Sequence, residues 1–441
     1  MNEANKTKNS KIVSWVQQHV APIAGKISQQ KYLAAVRDGM TAIIPVTIIG
    51  GIAAIISSPP VPATLKATNF MTAFLVAWRN WATANIATLT IPYNLTMGLL
   101  GLYTVIAIAY CLTQHYKMNL ITNEITAILA FLIVASPSVT IKNITYLPAS
   151  NLGATGMFAG IIVAIIAVEV NRLFISHHIS IKLPPTVPPN VAAPFEVLIP
   201  MVVTTFVLFI LNNWCVALTH NDIASVIYLL FTPFTNLTGT LPVILLIAFL
   251  ATTLWFFGIH GNNMLGAIVT PITTLNVALN LKQYNAGQPM THIFAGSFYS
   301  VFGGWITYTA FLIAMIMFAK SARLKALWKI GIPGTMFNIN EPLIFGIPTV
   351  LNIYFYIPIV ICEMINLSVA YFLMATNVLG KFYIMVPWST PGLIQVFLAS
   401  MDWKNCILWI ALLVLDVFIC SPFLKVYDKQ LVKEESVQAA K

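Results

Sequence analysis

Long apolar runs recur along the chain, each closed by a short cluster of glycine, proline, asparagine or charged residues. They cover 39–57, 95–112, 125–141, 155–168, 197–219, 241–258, 296–319, 351–375 and 406–424. A hydrocarbon layer takes ~20 mostly apolar residues to cross as a helix, so the pattern predicts roughly eight to ten transmembrane helices. The stretch 70–92 and a few short apolar pieces leave that number open.

Composition agrees with the pattern. Hydrophobic residues make up 58% of the chain and charged residues only 8%, whereas a soluble domain carries about 25% charged residues. A fold of this size in water has no interior large enough for so much apolar surface. The expected class is an all-α polytopic membrane protein. Lys6, Lys8, Lys11, Lys26, Lys31 and Arg37 precede the first long run, and Lys425, Lys429 and Lys433 follow the last. By the positive-inside rule both ends are cytoplasmic, which requires an even number of crossings. The first run is too long for a signal-peptide core and lacks a small-residue cleavage site. The net charge of +10 is accounted for by anchoring at anionic lipid and calls for no nucleic-acid partner. Cys111, Cys215, Cys362, Cys406 and Cys420 lie scattered in apolar stretches without metal-ligand spacing, so they read as packing residues, and no metal or other cofactor is expected. No G-x-x-x-x-G-K-[ST] loop is present, so nothing points to ATP hydrolysis.

The proline-rich stretch 182–194 reads as an extended connector, because prolines in such number break a helix. Before it, 171–182 mixes Arg172, His177, His178 and Lys182 with Leu173, Phe174 and Ile175, as suits a short element on the membrane surface. The expected organisation is therefore a basic N-terminal arm (1–38), an N-terminal transmembrane domain (39–171), an interfacial helix and connector (172–194), a C-terminal transmembrane domain (195–425) and a tail (426–441).

Two interruptions in the C-terminal half carry the chemistry. The run 241–257 ends in Gly258-Ile-His260-Gly261-Asn262-Asn263. Further on, Ile330-Gly-Ile-Pro-Gly334 is followed by Phe337-Asn338-Ile-Asn340-Glu341-Pro342. Broken backbone at membrane depth persists only where it lines a cavity or is buried in protein, and it marks transporter binding sites. An ionised side chain at mid-membrane costs roughly 2.5–3.5 kcal/mol, so Glu341 in such a break is a candidate substrate or catalytic carboxylate. Capping of free backbone N–H groups is its plainer alternative. His260 and the amides beside it make a second candidate polar centre. Trp255 and Trp388 offer faces on which a sugar ring can stack, or they anchor the interface as membrane tryptophans do. Glu363 and Asp416 lie inside helical stretches and read as buried structural groups. Glu169 reads as a surface partner of Arg172 three residues on. From these residues alone, an ion-coupled sugar symporter with Glu341 as its proton site fits as well as any other sugar transporter, and a membrane sugar sensor or scaffold is a weaker rival.

Three segments resemble the membrane (IIC) subunit of the bacterial sugar phosphotransferase system, of the lactose/cellobiose/diacetylchitobiose type. They are Trp255-Phe-Phe-Gly-Ile-His-Gly-Asn262, Asn338-Ile-Asn-Glu-Pro-Leu-Ile-Phe-Gly346 and Pro185-Thr-Val-Pro-Pro-Asn-Val191. The resemblance implies ten transmembrane helices, two re-entrant hairpins and a homodimer joined through the N-terminal domain, in the bacterial cytoplasmic membrane. It implies a disaccharide held by the C-terminal domain, cellobiose or a related β-glucoside being the first expectation and lactose and diacetylchitobiose the open alternatives. Glu341 would then meet the 6-hydroxyl as base or positioning acceptor and His260 would orient the same end. Asn340, Asn262, Gly261, Trp255, Trp388 and Asn338 would line the sugar. Phosphate would come from a phosphocysteine on a separate cytoplasmic IIB protein charged by IIA, because no soluble α/β segment is visible and none of the five cysteines sits in one. Arg323, Lys325 and Lys329, read as a loop before the Glu341 segment, either greet such a partner or anchor the membrane face.

Overall fold

A computed structural model describes residues 30–59, 61, 65–184, 186–347, 349 and 352–439, the side chains at 189, 190, 341, 345, 438 and 439 excepted. Lys6, Lys8, Lys11 and Lys26 of the basic arm lie outside the described residues. Lipid offers no partner to a free N–H or C=O, so apolar sequence closes into helices. Among the described residues, eight helices are long and apolar enough to cross a membrane: Lys31–Ser57, Ile86–His115, Ala154–Ser176, Val191–Thr219, Gly261–Asn285, Phe298–Phe318, Ile353–Ala375 and Trp403–Val437. The pair Ile223–Thr238 and Leu241–Phe256, bent by 77°, makes a ninth if it is one broken span, and Leu120–Ala135 is a shorter apolar helix.

Several boundaries differ from the sequence pattern, each for a local reason. The run 125–141 is not one helix: it stops at Ala135, and Val139–Ile141 pairs with Ile144–Tyr146 in an exposed hairpin. Pro137 has no N–H to give a continuing helix and disfavours helical backbone at the residue before it. The run 155–168, by contrast, continues as helix to Ser176, so 171–176 is no separate surface element. Its polar residues find partners: buried Asn171 donates to Asn123 Oδ1 at 2.9 Å and to Thr126 Oγ1 at 3.3 Å. The connector is also shorter than expected, because Pro189 and Pro194 lie within the helix Pro189–Thr219. Pro189 stands at the first helical position, where an N–H would have no partner in any case. Arg323, Lys325 and Lys329 sit exposed on the helix Ala322–Met336 rather than in a loop.

The described chain forms two compact units, Gln30–Asn236 with Ala267–Leu279, and Leu237–Gly266 with Asn280–Lys441. Residues 195–236 and 267–279 thus cluster with the N-terminal unit rather than the C-terminal one. In lipid the helices gain little from the hydrophobic effect, so close packing and interhelical hydrogen bonds carry association. In the first unit Leu100, Ile108 and Leu112 pack with Phe131, Val134, Met157 and Val163. Glycines let backbones approach there: a Cβ at Gly39 would fall 2.7 Å from Ile108 Cγ1. The pair Glu169–Arg172 exists, at 2.6 Å, but is no isolated surface pair. Glu169 also accepts from Lys31 Nζ at 3.2 Å, Tyr32 OH at 2.9 Å and the Tyr116 hydroxyl, tying three helical segments together. In the second unit Phe311, Phe355 and Tyr427 pack edge to face within a core that includes Leu343, Ile344 and Ile347. Glu363 and Asp416 are buried there, hydrogen-bonded by neutral groups: Asp416 Oδ2 accepts from Thr307 Oγ1 at 3.0 Å and Asn366 Nδ2 at 2.9 Å.

Candidate functional site

Both interruptions singled out in the sequence belong to the second unit, and both are built by one device. The helix Leu241–Phe256 ends with Gly258 in the left-handed region (φ +79), the N–H of Gly258 reaching Trp255 O and that of Ile259 reaching Leu254 O, each at 2.9 Å. The helix Ala322–Met336 ends the same way, with Asn338 at φ +60 in the glycine's place. There the N–H of Asn338 reaches Thr335 O at 3.1 Å and that of Ile339 reaches Gly334 O at 2.9 Å. These paired bonds are a Schellman cap, which satisfies the last carbonyls of a helix while turning the chain sharply. Glycine adopts the left-handed conformation freely, and asparagine is among the few other residues that enter it at low cost.

Beyond the first cap, His260 is the N-cap of the helix Gly261–Asn285, its Nδ1 accepting the Asn263 N–H at 3.1 Å. An imidazole whose Nδ1 accepts carries its neutral-form proton on Nε2. The Trp255 ring lies against the His260 ring, centroids 4.3 Å apart, and holds its plane. Gly261 is where the backbone doubles back: a Cβ there would stand 2.1 Å from the carbonyl oxygen of Ala251. The Tyr299 hydroxyl donates to Asn262 Oδ1 at 3.3 Å, leaving the amide N–H groups of Asn262 as donors for a ligand.

Beyond the second cap, Asn340 precedes the short helix Glu341–Gly346, with Pro342 at its second position. The backbone of Glu341 opens that helix; its side chain lies outside the described residues. Asn338 is buried, its amide donating to Trp388 O at 2.8 Å and Thr390 O at 2.6 Å. Its two N–H groups are shared among these carbonyls and Gln395 Oε1, so Asn338 fastens the 338–341 segment to the loop that carries Trp388. Asn340 is buried with its Oδ1 unpartnered, as suits a group awaiting a donor. Trp388 is about half exposed and leans on Trp305, centroids 5.9 Å apart. Thus the structure brings Trp255, His260, Gly261 and Asn262 together around one break, and ties Asn338 and Asn340 of the other to the loop of Trp388. Trp255 packs against the core cluster that also includes Leu343 and Ile344, just after Glu341.

Sequence reasoning overlooked three supports. Gln395, fully buried, donates to Pro387 O at 3.0 Å and accepts from Asn338 at 3.3 Å. Tyr299 holds Asn262, and Thr252 bonds to Glu363. A lone amide in the apolar stretch 392–400 was the one available signal for Gln395; tyrosine and threonine in membrane helices are too common to stand out.

Comparison with known proteins places the chain. The model of the phosphotransferase system EIIC family matches residues 37–362. The oligo-β-mannoside-specific EIIC component of Bacillus subtilis (strain 168) is 29% identical over 435 residues, 96% of each chain. The lichenan permease IIC component of the same organism is 30% identical over 97% of this chain and 96% of its own. A lactose-specific EIICB component of Staphylococcus epidermidis is 31% identical over 97% of this chain and 72% of its own. The crystal structure of ChbC, the IIC component of an N,N'-diacetylchitobiose-specific phosphotransferase system, superposes with a TM-score of 0.86 at 30% identity, covering 96% of this chain and 99% of that one. With its apolar multi-helix architecture and a family match spanning well over half its length, this chain belongs to the EIIC family of the phosphotransferase system.

Proposed function

We propose that the chain is a permease that binds a disaccharide, cellobiose or a related β-glucoside, carries it into the cell and presents its 6-hydroxyl for phosphorylation. The observation that carries this reading is family membership together with the two capped breaks, which bring His260, Asn262 and Asn340 into one unit. The phosphoryl donor is a phosphocysteine on a separate IIB protein, itself charged by IIA. In the transfer the 6-oxygen bonds to phosphorus, the sulfur–phosphorus bond breaks with the thiolate leaving, and the hydroxyl proton passes to the Glu341 carboxylate. Phosphoryl transfer of this kind is loose and depends more on positioning than on a strong base. His260 donates from Nε2 to the same end of the sugar, and Trp255 and Trp388 pack its apolar face. In the same reading the protein is a homodimer joined through its N-terminal half, with ten crossings, two re-entrant hairpins and both termini in the cytoplasm.

The test is uptake of radiolabelled disaccharide into vesicles, with and without phospho-IIB. Sugar phosphate should accumulate only with the donor; uptake of unmodified sugar driven by a pH gradient would overturn the reading in favour of a symporter, and binding without movement in favour of a sensor. Glu341→Gln should keep much of the sugar affinity and lose phosphorylation. His260→Ala should weaken both.

A further inference from the structure

Glu363 is 1% exposed, near the middle of the helix Ile353–Ala375. A carboxylate so placed in a membrane helix is costly and is kept where it holds something. Two segments send donors to it. Thr252, near the end of Leu241–Phe256, donates to Oε2. The N–H of Gly304, at the start of Gly304–Phe318, donates to Oε1 at 3.2 Å. Gly303, just before it, donates its N–H to the carbonyl of Tyr299 at 2.8 Å, on the one-turn helix Phe298–Phe302.

Both segments reach the His260 loop, from opposite ends. Thr252 follows Ala251, the residue on whose carbonyl Gly261 sits so closely that no Cβ fits between them. Tyr299 holds the side chain of Asn262 through its hydroxyl. The carboxylate thus grips the residue next to the loop's seat and, through Gly304 and the Gly303 N–H, the turn whose Tyr299 holds the loop's amide. Packing alone would be met by an apolar side chain of the same size, which would leave Thr252 and the Gly304 N–H without an acceptor. We propose that Glu363 is a positioning residue for the His260–Asn262 loop, setting the place of the imidazole and the Asn262 amide through Thr252 and Tyr299. This rests on the reading that the loop holds sugar, but the geometry of the loop is measurable without sugar.

The experiment uses the full-length protein in detergent and compares Glu363→Gln, Tyr299→Phe, Asn262→Ala and the Tyr299→Phe/Asn262→Ala pair. Glu363→Gln keeps shape and polarity, and each variant is first checked for a monodisperse, folded peak. Carbethoxylation of His260 by diethyl pyrocarbonate is followed peptide by peptide, with His292 as internal reference, alongside binding of radiolabelled cellobiose, lactose and diacetylchitobiose. Loss of one hydrogen bond corresponds to about a fivefold change in an equilibrium. Glu363→Gln and Tyr299→Phe should each raise the His260 rate by about that factor, and Tyr299→Phe should add nothing once Asn262 is alanine. An unchanged His260 rate in both single variants, or full additivity in the pair, overturns the proposal; a lowered melting temperature with an unchanged His260 rate makes Glu363 a structural carboxylate only. If the rate rises while sugar binding is unmoved, even in His260→Ala, the positioning role stands and the sugar-site reading fails.

Discussion

Replacing Asn338 tests how the Glu341 segment is held. Its amide is buried and donates to the carbonyls of Trp388 and Thr390 at 2.8 and 2.6 Å, and its backbone is left-handed at φ +60. Alanine forfeits both bonds, about 1 kcal/mol net each, and adds about 1 kcal/mol for a Cβ in left-handed backbone. Glycine forfeits the bonds but not the backbone conformation. The expected losses are about 3 kcal/mol for Asn338→Ala and about 2 kcal/mol for Asn338→Gly. For a unit of about 190 residues, at ~2.1 cal/mol/K of unfolding entropy per residue, these correspond to roughly 8 °C and 5 °C in apparent Tm. The assay heats detergent-solubilised protein and reads the surviving monodisperse peak by size exclusion, with sugar binding measured on the same samples. Freed from its tie, the Trp388 loop should also bind sugar more weakly in both variants. An alanine variant melting within a degree of the parent would refute the tie, and a glycine variant less stable than alanine would refute the backbone argument.

Gly261→Ala places a methyl 2.1 Å from a backbone oxygen that has no room to give; the loop must move, and sugar affinity should fall at least about tenfold, an order-of-magnitude expectation for a displaced binding group. Glu169→Ala strips Lys31, Tyr32, Tyr116 and Arg172 of a common acceptor. With both cations about a third exposed, solvent screening holds the loss to about 2 kcal/mol; it should appear as a lower melting temperature with sugar affinity within about twofold of the parent. His292, partly buried between spans, has its pKa lowered by desolvation. Its folded value lies below its unfolded one, so the unfolded chain takes up the proton first as pH falls. Stability from this group is full above about pH 6.5 and declines below it, and His292→Gln should flatten melting temperature against pH in that window.

The apolar runs by themselves determined that this is a helical membrane protein, because lipid leaves the backbone no other way to satisfy its polar groups. Two motifs were legible for a related reason: Gly258 and Asn338 stand out in apolar surroundings because few residues accept left-handed backbone, and the breaks they make carry His260 and Asn340. Local sequence did not settle where helices end when the deciding partner lies far along the chain. Asn171 reads as interfacial until Asn123 and Thr126 meet it, and Glu169 as a surface ion until Lys31, Tyr32 and Tyr116 surround it. The roles of Glu363, Tyr299, Thr252 and Gln395 were likewise invisible. Each depends on a hydrogen bond between residues dozens of positions apart, and only the packed helices bring those groups within reach of one another.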